Sequence, residues 1–295
     1  MHKQLATAVQ DMTGRITPKQ LAPNLIKTGV WQKEKSAGPG HDRLFLNVLV
    51  AITEDDGGRQ ALEQSLEIAR RERGQLRGLH AVASEKERLN ITSQFLQGEF
   101  TVKCRVAGIE GKLSIETGQP ADKLCERSTL ADIVVAPLLK SPGTNLITRL
   151  NSGFRTLVRR SACPVLAVPD QPSHFTKALL IYDGSPKAKE ALFVAAYLAG
   201  QWQMPLVVLT VVEEKMTDRS IEAEVSAYLE KHGVQPSFIR KKGAVTKAIL
   251  DIAEEQAADL IITGGYSRSP VQGLLLGDSV DELLSRTKQP VLICR

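Results

Sequence analysis

The sequence predicts an α/β protein of two tandem domains, each an open, mostly parallel five-stranded sheet flanked by helices, behind an N-terminal extension. Three observations lead to this architecture. Short apolar runs rich in Val, Ile and Leu alternate with helix-length segments patterned in Ala and Leu, which is typical of βαβ units. The order of these segments repeats in the two halves of the chain. The 295 residues are also enough for two cores of ordinary size.

The repeat is clearest at the start of each half. LNVLVAITEDDGGRQALEQSLEIA (46–69) and KALLIYDGSPKAKEALFVAAYLA (177–199) each contain a strand pattern, a polar turn and a helical pattern. They align without gaps, so that Thr53 corresponds to Asp183. Because crossovers between parallel strands are right-handed, repeated units of this kind are expected to build parallel sheets.

Later segments of the two halves match as well. TGQPADKLCERSTLADIVVAPL (117–138) and KGAVTKAILDIAEEQAADLIITGG (242–265) share a glycine, a helical pattern and an aspartate directly before an apolar strand. A proline then precedes the closing strand of each half, at Pro164 and at Pro290. Proline is acceptable there because it can occupy the first position of a strand.

The boundary between the halves is predicted in the polar, proline-containing run PDQPSHFTK (169–177). The two domains are therefore predicted at residues 41–170 and 176–295. Residues 1–40 form an extension with too few apolar residues for a core of its own. Two roles stay open for this extension: docking on a domain or a partner subunit, or a mobile tail.

Composition and charge argue against several other classes of protein. The four cysteines form no C-x-x-C pair and the five histidines show no metal-ligand spacing, so neither a disulfide framework nor a metal site is expected. Apolar runs fall short of the roughly 20 residues that span a bilayer, and the N-terminus lacks a signal-peptide pattern. A cytoplasmic protein without membrane contact is expected. The net charge of +5 is spread over short basic groups with few aromatics, which disfavours a nucleic-acid partner.

The repeated layout resembles the universal stress protein family in tandem form. The resemblance is strongest in LLIYDGSPKAKEALFVAAYLA and GGYSRSPVQGLLLGDSVDELLSRTKQPVLICR, and it covers essentially everything after residue 41. It implies an adenine nucleotide alpha-hydrolase-like, Rossmann-like fold for each half. It also implies that the halves pair as two single-domain members pair in a dimer, with the P-V-L strands near the contact. Such a pseudo-dimer would hide two sheet edges.

The resemblance further implies an adenine nucleotide site in the second half. Asp183 falls on the family's aspartate that recognises adenine or ribose, and Val211 falls on a position that lines the base. The family's phosphate loop is G-x-x-G, nine residues, then G-[S/T]. The complete set of predicted binding residues is Asp183, Val211, Gly264, Gly265, Ser267, Arg268, Gly277, Asp278 and Ser279.

Two residues depart from the family's loop. Ser267 stands at the second glycine position, a change that costs about 1 kcal/mol if its φ is positive. Asp278 stands where a hydroxyl belongs, and its carboxylate would repel a phosphate unless a cation such as Mg²⁺ intervenes. The same aspartate is also an ordinary residue for a helix N-terminus. Arg268 and Ser279 are the nearby donors expected to compensate.

The first half is expected not to bind a nucleotide in the family's manner. Leu138, Ser141 and Asn151 occupy the three glycine positions of its loop, and Thr53 replaces the aspartate. His80, near the end of a strand, has no nucleophile to pair with and is interpreted as a structural residue. The role predicted for this half is therefore structural.

The second-half residues have a structural explanation as well. Asp183 followed by glycine is typical of a turn, here before a helix that Ser185 caps and Pro186 opens. Gly264, Gly265 and Gly277 are equally expected where a strand packs tightly against a helix. The sequence leaves both explanations open.

Three functions follow from these patterns. The first is a stress-response regulatory protein whose second half binds ATP or another adenine nucleotide together with Mg²⁺, and the nucleotide serves as a signal. No general base is visible in the sequence, so no enzymatic activity beyond slow hydrolysis is expected. The second is a nucleotide-free module in which the paired halves and the extension engage a partner protein, with a further homodimer left open. An ATP-consuming transferase or ligase is least favoured, because S-G-G-x-D-S is absent after both first strands.

Overall fold

Strands and helices alternate along most of the described chain. The computed structural model describes residues 43–138, 152–169, 172–212, 220–265 and 276–295, and residues 43–295 form one compact unit. The strands are β1 (Asn47–Ala51), β2 (Gln75–Val82), β3 (Gly111–Thr117), β4 (Ile133–Pro137), β5 (Val165–Val168), β6 (Ala178–Ile181), β7 (Leu206–Val212), β8 (Ser237–Lys242), β9 (Leu260–Gly264) and β10 (Val291–Cys294). The helices are α1 (Asp56–Glu72), α2 (Glu85–Arg88), α3 (Ile91–Ala107), α4 (Pro120–Ser128), α5 (Ser152–Arg160), α6 (Pro186–Gln201), α7 (Ser220–Lys231), α8 (Val245–Glu255) and α9 (Leu276–Arg286).

Within the described residues the strands form a ten-stranded sheet in the order β3-β2-β1-β4-β5-β10-β9-β6-β7-β8. Each half contributes five strands that run parallel to one another. The halves meet where β5 and β10 pair antiparallel, with Leu166 opposite Leu292. The predicted α/β fold class is confirmed.

The sheet differs from the expectation in one respect, because the sheets of the two halves are continuous. The P-V-L strands are the place of contact, and their hydrogen-bonded pairing covers the edge that each half would otherwise expose. The chain passes from one half of the sheet to the other between β5 and β6. The domain limits at residues 170 and 176 stay a prediction.

The sequences of the strands follow their places in the sheet. The central strands β4 and β9 are almost wholly apolar because helices cover both of their faces. The outermost strands β3 (GKLSIET) and β8 (SFIRKK) carry charged and polar residues instead. Such residues end a sheet because they discourage pairing with a further strand.

Two hydrophobic cores lie on opposite faces of the sheet. Successive side chains of β1 alternate between them, so that Val48 and Val50 belong to one core and Leu49 and Ala51 to the other. The first core is completed by α1, α3, α6 and α7, and the second by α4, α5, α8 and α9. Each core contains residues of both halves.

The helices of the first core begin and end at specific capping residues. Asp55 caps α1 by accepting a hydrogen bond from the Gly58 N–H at 3.0 Å. Asn90 caps α3 by accepting from the Ser93 N–H at 2.7 Å, and Gly108 ends α3 in the left-handed conformation with φ 68°. These capping residues define where α3 begins and ends, and therefore which residues its outer face contains.

A buried carboxylate ties α1 of the first half to α6 of the second. Glu72 is only 1% exposed, and its oxygens accept hydrogen bonds from the Tyr197 hydroxyl at 2.8 and 3.0 Å and from the Trp202 indole N–H at 2.7 Å. The Phe45 N–H donates to the same carboxylate at 3.2 Å. Burial raises the pKa of Tyr197, so its hydroxyl stays protonated and continues to donate. These four groups are called the Glu72 cluster below.

The opposite face has its own contact between the halves. Arg155 of α5 forms an ion pair with Asp281 of α9. None of the helices in the described part of the chain has the length and apolar character that a membrane span requires.

Candidate functional site

The strand order defines one crevice in each half. In the second half β6 lies between β7 and β9, so the connections leave β6 and β9 toward opposite sides of the sheet. In the first half β1 lies between β2 and β4 in the same way. Ligands of open α/β sheets bind at such switch points, outside the carboxyl ends of the strands. We call this end of each half its carboxyl rim.

Four of the predicted binding residues lie at the carboxyl rim of the second half. Asp183 follows β6, Val211 lies near the end of β7, and Gly264 and Gly265 end β9. The register pairs Ile181 with Leu209 and Leu180 with Ile262, which brings these four residues to nearly the same level. The fold therefore brings the start of the predicted site together.

Asp183 begins the turn that was predicted from its sequence. Its Oδ1 accepts a hydrogen bond from the Ser185 N–H at 2.9 Å, and Gly184 has φ 76°, which favours glycine. Ser185 then caps α6 by accepting from the Ala188 N–H at 3.1 Å, and Pro186 is the first residue of the helix. The structural explanation of Asp183 is confirmed. Its side chain stays partly exposed at the rim, so the turn leaves room for a ligand contact.

Gly264 and Gly265 are also explained by packing. A Cβ atom on Gly264 would lie 2.7 Å from the Lys187 carbonyl carbon and 2.9 Å from the Ala188 nitrogen, both backbone atoms of α6. A Cβ atom on Gly265 would lie 3.0 Å from the Cys294 carbonyl oxygen. The close approach of β9 to the first turn of α6 therefore requires glycine at residue 264 whether or not a ligand binds.

The remaining predicted residues are placed incompletely. Ser267 and Arg268 lie outside the described residues. Gly277, Asp278 and Ser279 belong to the start of α9. The phosphate loop that would connect the two groups stays a prediction.

The carboxyl rims of the two halves differ in charge. Glu54 and Asp55 lie in the turn after β1 and Asp56 begins α1, whereas the turn after β6 contains Asp183 and is followed by Lys187 in the first turn of α6. The strands farther along the rims differ in the same sense. β3 ends near Glu116, whereas β8 ends in Arg240, Lys241 and Lys242. Many of these charges are paired: Asp56 with Arg59, Glu116 with Arg127, Lys187 with Glu190, Arg240 with Glu222 and Lys241 with Glu255. The remaining difference in charge is small and favours an anion at the second rim more than at the first.

The first-half crevice contains a cavity that the sequence did not predict. Its volume is about 310 Å³, and its lining includes Thr53, Asp55, Leu79, His80 and Pro120. Its polar groups are largely acceptors, since Asp55 and Glu54 are both part of the lining. Such a lining does not suit a phosphate, and the absence of a nucleotide site from this half stays a prediction.

His80 is the buried titratable residue of this cavity, with 6% of its surface exposed. Its Nδ1 lies 2.9 Å from the Ile52 carbonyl oxygen, and a carbonyl accepts, so in the neutral ring the proton is on Nδ1 and Nε2 is an acceptor. Nε2 is buried and has no hydrogen-bond partner among the described residues. The structural interpretation of His80 holds for Nδ1, which has a backbone partner, but not for Nε2. No pattern in the sequence indicates that Nε2 is buried without a partner.

The sequence also missed Tyr182, which precedes Asp183. Only 1% of this residue is exposed, and its hydroxyl has no hydrogen-bond partner within the described ranges. Burial raises the pKa of Tyr182 to about 12, helped by the charges of Glu224 and Asp183. It is therefore a neutral donor beneath the second crevice.

The cysteines do not provide a nucleophile to either crevice. All four are buried and free, and burial raises the pKa of Cys104 to about 11 and of Cys163 to about 12. A thiol with a raised pKa is unreactive. In the part of the chain that the structure describes, no three side chains of His, Cys, Asp or Glu gather as metal ligands would.

Fold and site together define an α/β protein of two similar halves with a ligand-type crevice at each switch point. Residues 174–295 match the sequence model of the universal stress protein family. Residues 174–295 thus belong to the universal stress protein family, as the sequence predicted for this half.

Known universal stress proteins match the chain more widely. Slr1230 from Synechocystis is 28% identical over 148 residues, which cover 50% of this chain and 52% of that protein. Rv2005c from Mycobacterium tuberculosis is 28% identical over 214 residues, 64% of this chain and 71% of that protein. The chain thus spans about half the length of the first of these relatives.

A solved structure extends the likeness of fold to both halves. The crystal structure of a universal stress protein from Archaeoglobus fulgidus covers 87% of this chain and 98% of its own, with a TM-score of 0.66. Its sequence identity is 19%, so the match concerns the fold alone.

Proposed function

We propose that the protein is a stress-response regulatory protein that binds ATP or another adenine nucleotide in the crevice of its second half. The main support is the charge difference between the two carboxyl rims, which favours an anion at the second rim. The same half matches the universal stress protein family. The nucleotide acts as a signal in this proposal, and the cytoplasmic location stays a prediction.

Each described residue of the crevice has a role in this proposal. The Asp183 carboxylate accepts from a ribose hydroxyl or the adenine amine, and Val211 packs against the base. The backbone of Gly264 and Gly265 can approach the phosphates closely because neither residue has a Cβ atom. Mg²⁺ accompanies the nucleotide in this proposal, because the carboxylate of Asp278 would otherwise repel the phosphates.

The proposal includes binding without rapid turnover. Asp183 already accepts a backbone N–H within its turn, and Lys187 lies 3.5 Å from its partner Glu190. In this proposal the remaining oxygen of Asp183 accepts from the ribose or the adenine, so neither group is assigned the role of a general base. An enzymatic role beyond slow hydrolysis is not proposed.

Asp183→Asn tests the nucleotide site with little effect on the turn. Asparagine keeps a side-chain oxygen for the Ser185 N–H but loses the charge that binds the nucleotide. We expect the affinity for MgATP, measured by isothermal titration calorimetry, to fall about tenfold or more, as befits a lost charged hydrogen bond. Asp55→Asn is the matched control, because Asp55 is the N-cap of α1 in the first half. Its affinity is expected to equal that of the wild type.

Three results would contradict the proposal. Absence of binding at millimolar MgATP would rule out the nucleotide-binding part of the proposal. An equal loss in Asp55→Asn would move the site to the first half. Steady conversion of ATP to a transferred product would favour the transferase or ligase.

A nucleotide-free interaction module is the second candidate, and one specific observation favours it. Helix α3 exposes large apolar side chains that no packing within the described chain explains. The N-terminal extension, the other element of this candidate, lies outside the described residues.

A further inference from the structure

Helix α3 has apolar side chains on two opposite faces. The inner face consists of Leu96, Phe100 and Cys104, which are buried against the sheet. The outer face is exposed to 86% at Ile91, 64% at Phe95, 55% at Val102 and 84% at Val106. A surface helix ordinarily has one apolar face, so the outer one needs a separate explanation.

The outer apolar residues form a straight stripe with a glycine at its centre. Ile91 and Phe95 precede Gly98 by seven and three residues, and Val102 and Val106 follow it by four and eight. At 3.6 residues per turn, all five lie on one side of the helix. We call these five residues the α3 stripe. Leu89, 73% exposed directly before the helix, prolongs it.

Among the described residues, no contact requires a glycine at residue 98. A Cβ atom placed on it would meet nothing within 4 Å, and its backbone is not in the left-handed region. Glycine is among the least favourable residues in the interior of a helix. A small residue in the middle of an apolar stripe is useful, however, where a second helix crosses closely.

The corresponding helix of the other half has no such face. The exposed positions of α7 include Glu224, Glu230 and Lys231, as is usual for a solvated helix. The polar residues that flank the α3 stripe are almost uncharged. Of the exposed positions on α3, all of which the structure describes, Arg105 is the one with a charge.

We propose that the α3 stripe binds the α3 stripe of a second copy of this chain, with the two helices antiparallel and crossing at Gly98. The spacing of the stripe about Gly98 is nearly symmetric, which is the requirement for an interface that contacts itself across a two-fold axis. In this arrangement Ile91 contacts Val106 of the second copy, and Phe95 contacts Val102. Gly98 lies next to the axis, where the two backbones are closest.

The size and charge of the surface agree with a second copy as the occupant. The stripe and Leu89 expose on the order of 500 Å² of apolar surface, so two copies bury about 1,000 Å², the lower limit for a specific interface. The dimer is therefore concentration-dependent. A membrane surface fits less well, because helices that lie on lipid are rich in Lys and Arg along their polar face, whereas the basic residues of α3 are Arg105 and Lys103, and Lys103 pairs with Glu63.

Single cysteines test the crossing point in the full chain. Gly98→Cys places a thiol next to the two-fold axis, and mild oxidation is expected to give a disulfide-linked dimer at micromolar concentration. Gly200→Cys is the matched control, since Gly200 is likewise exposed on a helix with nothing within 4 Å of its Cβ position. The four native cysteines are buried and do not contribute. Equal crosslinking of the two variants, or none in Gly98→Cys, would overturn the proposal.

A charge pair tests the antiparallel register. Phe95→Glu and Val102→Lys are each expected to weaken the dimer about tenfold or more, measured by analytical ultracentrifugation over a range of concentrations. The double variant is expected to regain most of this loss, because each glutamate then faces a lysine of the other copy. Both positions are exposed, so the fold of each copy is unaffected.

Two outcomes would contradict this arrangement. A wild-type chain that stays monomeric at high concentration has no such interface. A dimer that is insensitive to both single substitutions uses another surface. The nucleotide titration does not depend on either outcome, so this inference and the proposed function can fail separately.

Discussion

Gly264 shows how a single residue can be explained by a contact that is distant in sequence. Replacing it with alanine brings a Cβ atom to 2.7 Å from a backbone carbon of α6, which cannot rotate away as a side chain would. We expect Gly264→Ala to lower the free energy of unfolding by about 1–3 kcal/mol, the usual cost of overpacking, in urea denaturation.

Gly200 provides the control for that substitution. Nothing lies within 4 Å of its Cβ position, so Gly200→Ala is expected to raise the free energy of unfolding by up to about 1 kcal/mol through helix propensity. A neutral Gly264→Ala variant would show that the first turn of α6 moves at little cost.

At this scale the sequence predicts what is local. The turn at Asp183, its cap at Ser185 and the opening proline were all predicted, because each depends on residues within a few positions of one another. The orphan Nε2 of His80 and the cavity around it were not, since they depend on how α4 and the turn after β1 meet β2. The sequence alone does not show that these three elements pack together.

Among the contacts between secondary-structure elements, the Glu72 cluster is the one whose loss we expect to lower the free energy of unfolding most. Glu72→Gln removes a buried charge that accepts hydrogen bonds from Tyr197, Trp202 and Phe45, and places an amide N–H₂ against donors. We expect a loss of roughly 2 kcal/mol in the free energy of unfolding, as for other hydrogen bonds to buried charged groups. Guanidinium denaturation followed by circular dichroism measures it.

Glu63→Gln on the same helix is the comparison. Glu63 is exposed and pairs with Lys103 at the surface, where ion pairs contribute little. The free energy of unfolding of the Glu63→Gln variant is expected to stay close to that of the wild type. Similar losses in the two variants would mean that the burial of Glu72 has no special importance.

The elements themselves were largely predictable, and the reasons are physical. Alternating strand and helix patterns gave the βαβ order, and proline before the last strand of each half marked β5 and β10. The outer face of α3 was not interpreted, because Ile91, Phe95 and Val102 follow a helical period that a buried face would also show. Only the structure distinguishes the exposed stripe from the core one.

The molecule as a whole is expected to unfold in one step. Each core contains residues of both halves, and β5 and β10 hydrogen-bond across the junction. Trp31→Phe leaves Trp202 as the remaining tryptophan of the two, and Trp202 lies in the Glu72 cluster. Its fluorescence and the far-ultraviolet circular dichroism are expected to change together with denaturant. A fluorescence change at lower denaturant would show that the halves separate first.

The antiparallel junction has a consequence for the two crevices. The strands within each half are parallel to one another, and β5 and β10 are antiparallel, so all strands of one half run in the direction opposite to those of the other half. The two carboxyl rims therefore lie at opposite ends of the strands. A molecule bound at one rim cannot touch the other. An effect of a ligand in one crevice on the other crevice would therefore have to pass through the contacts that join the halves, namely the β5–β10 pairing, the two shared cores, the carboxylate at residue 72 and the Arg155–Asp281 ion pair.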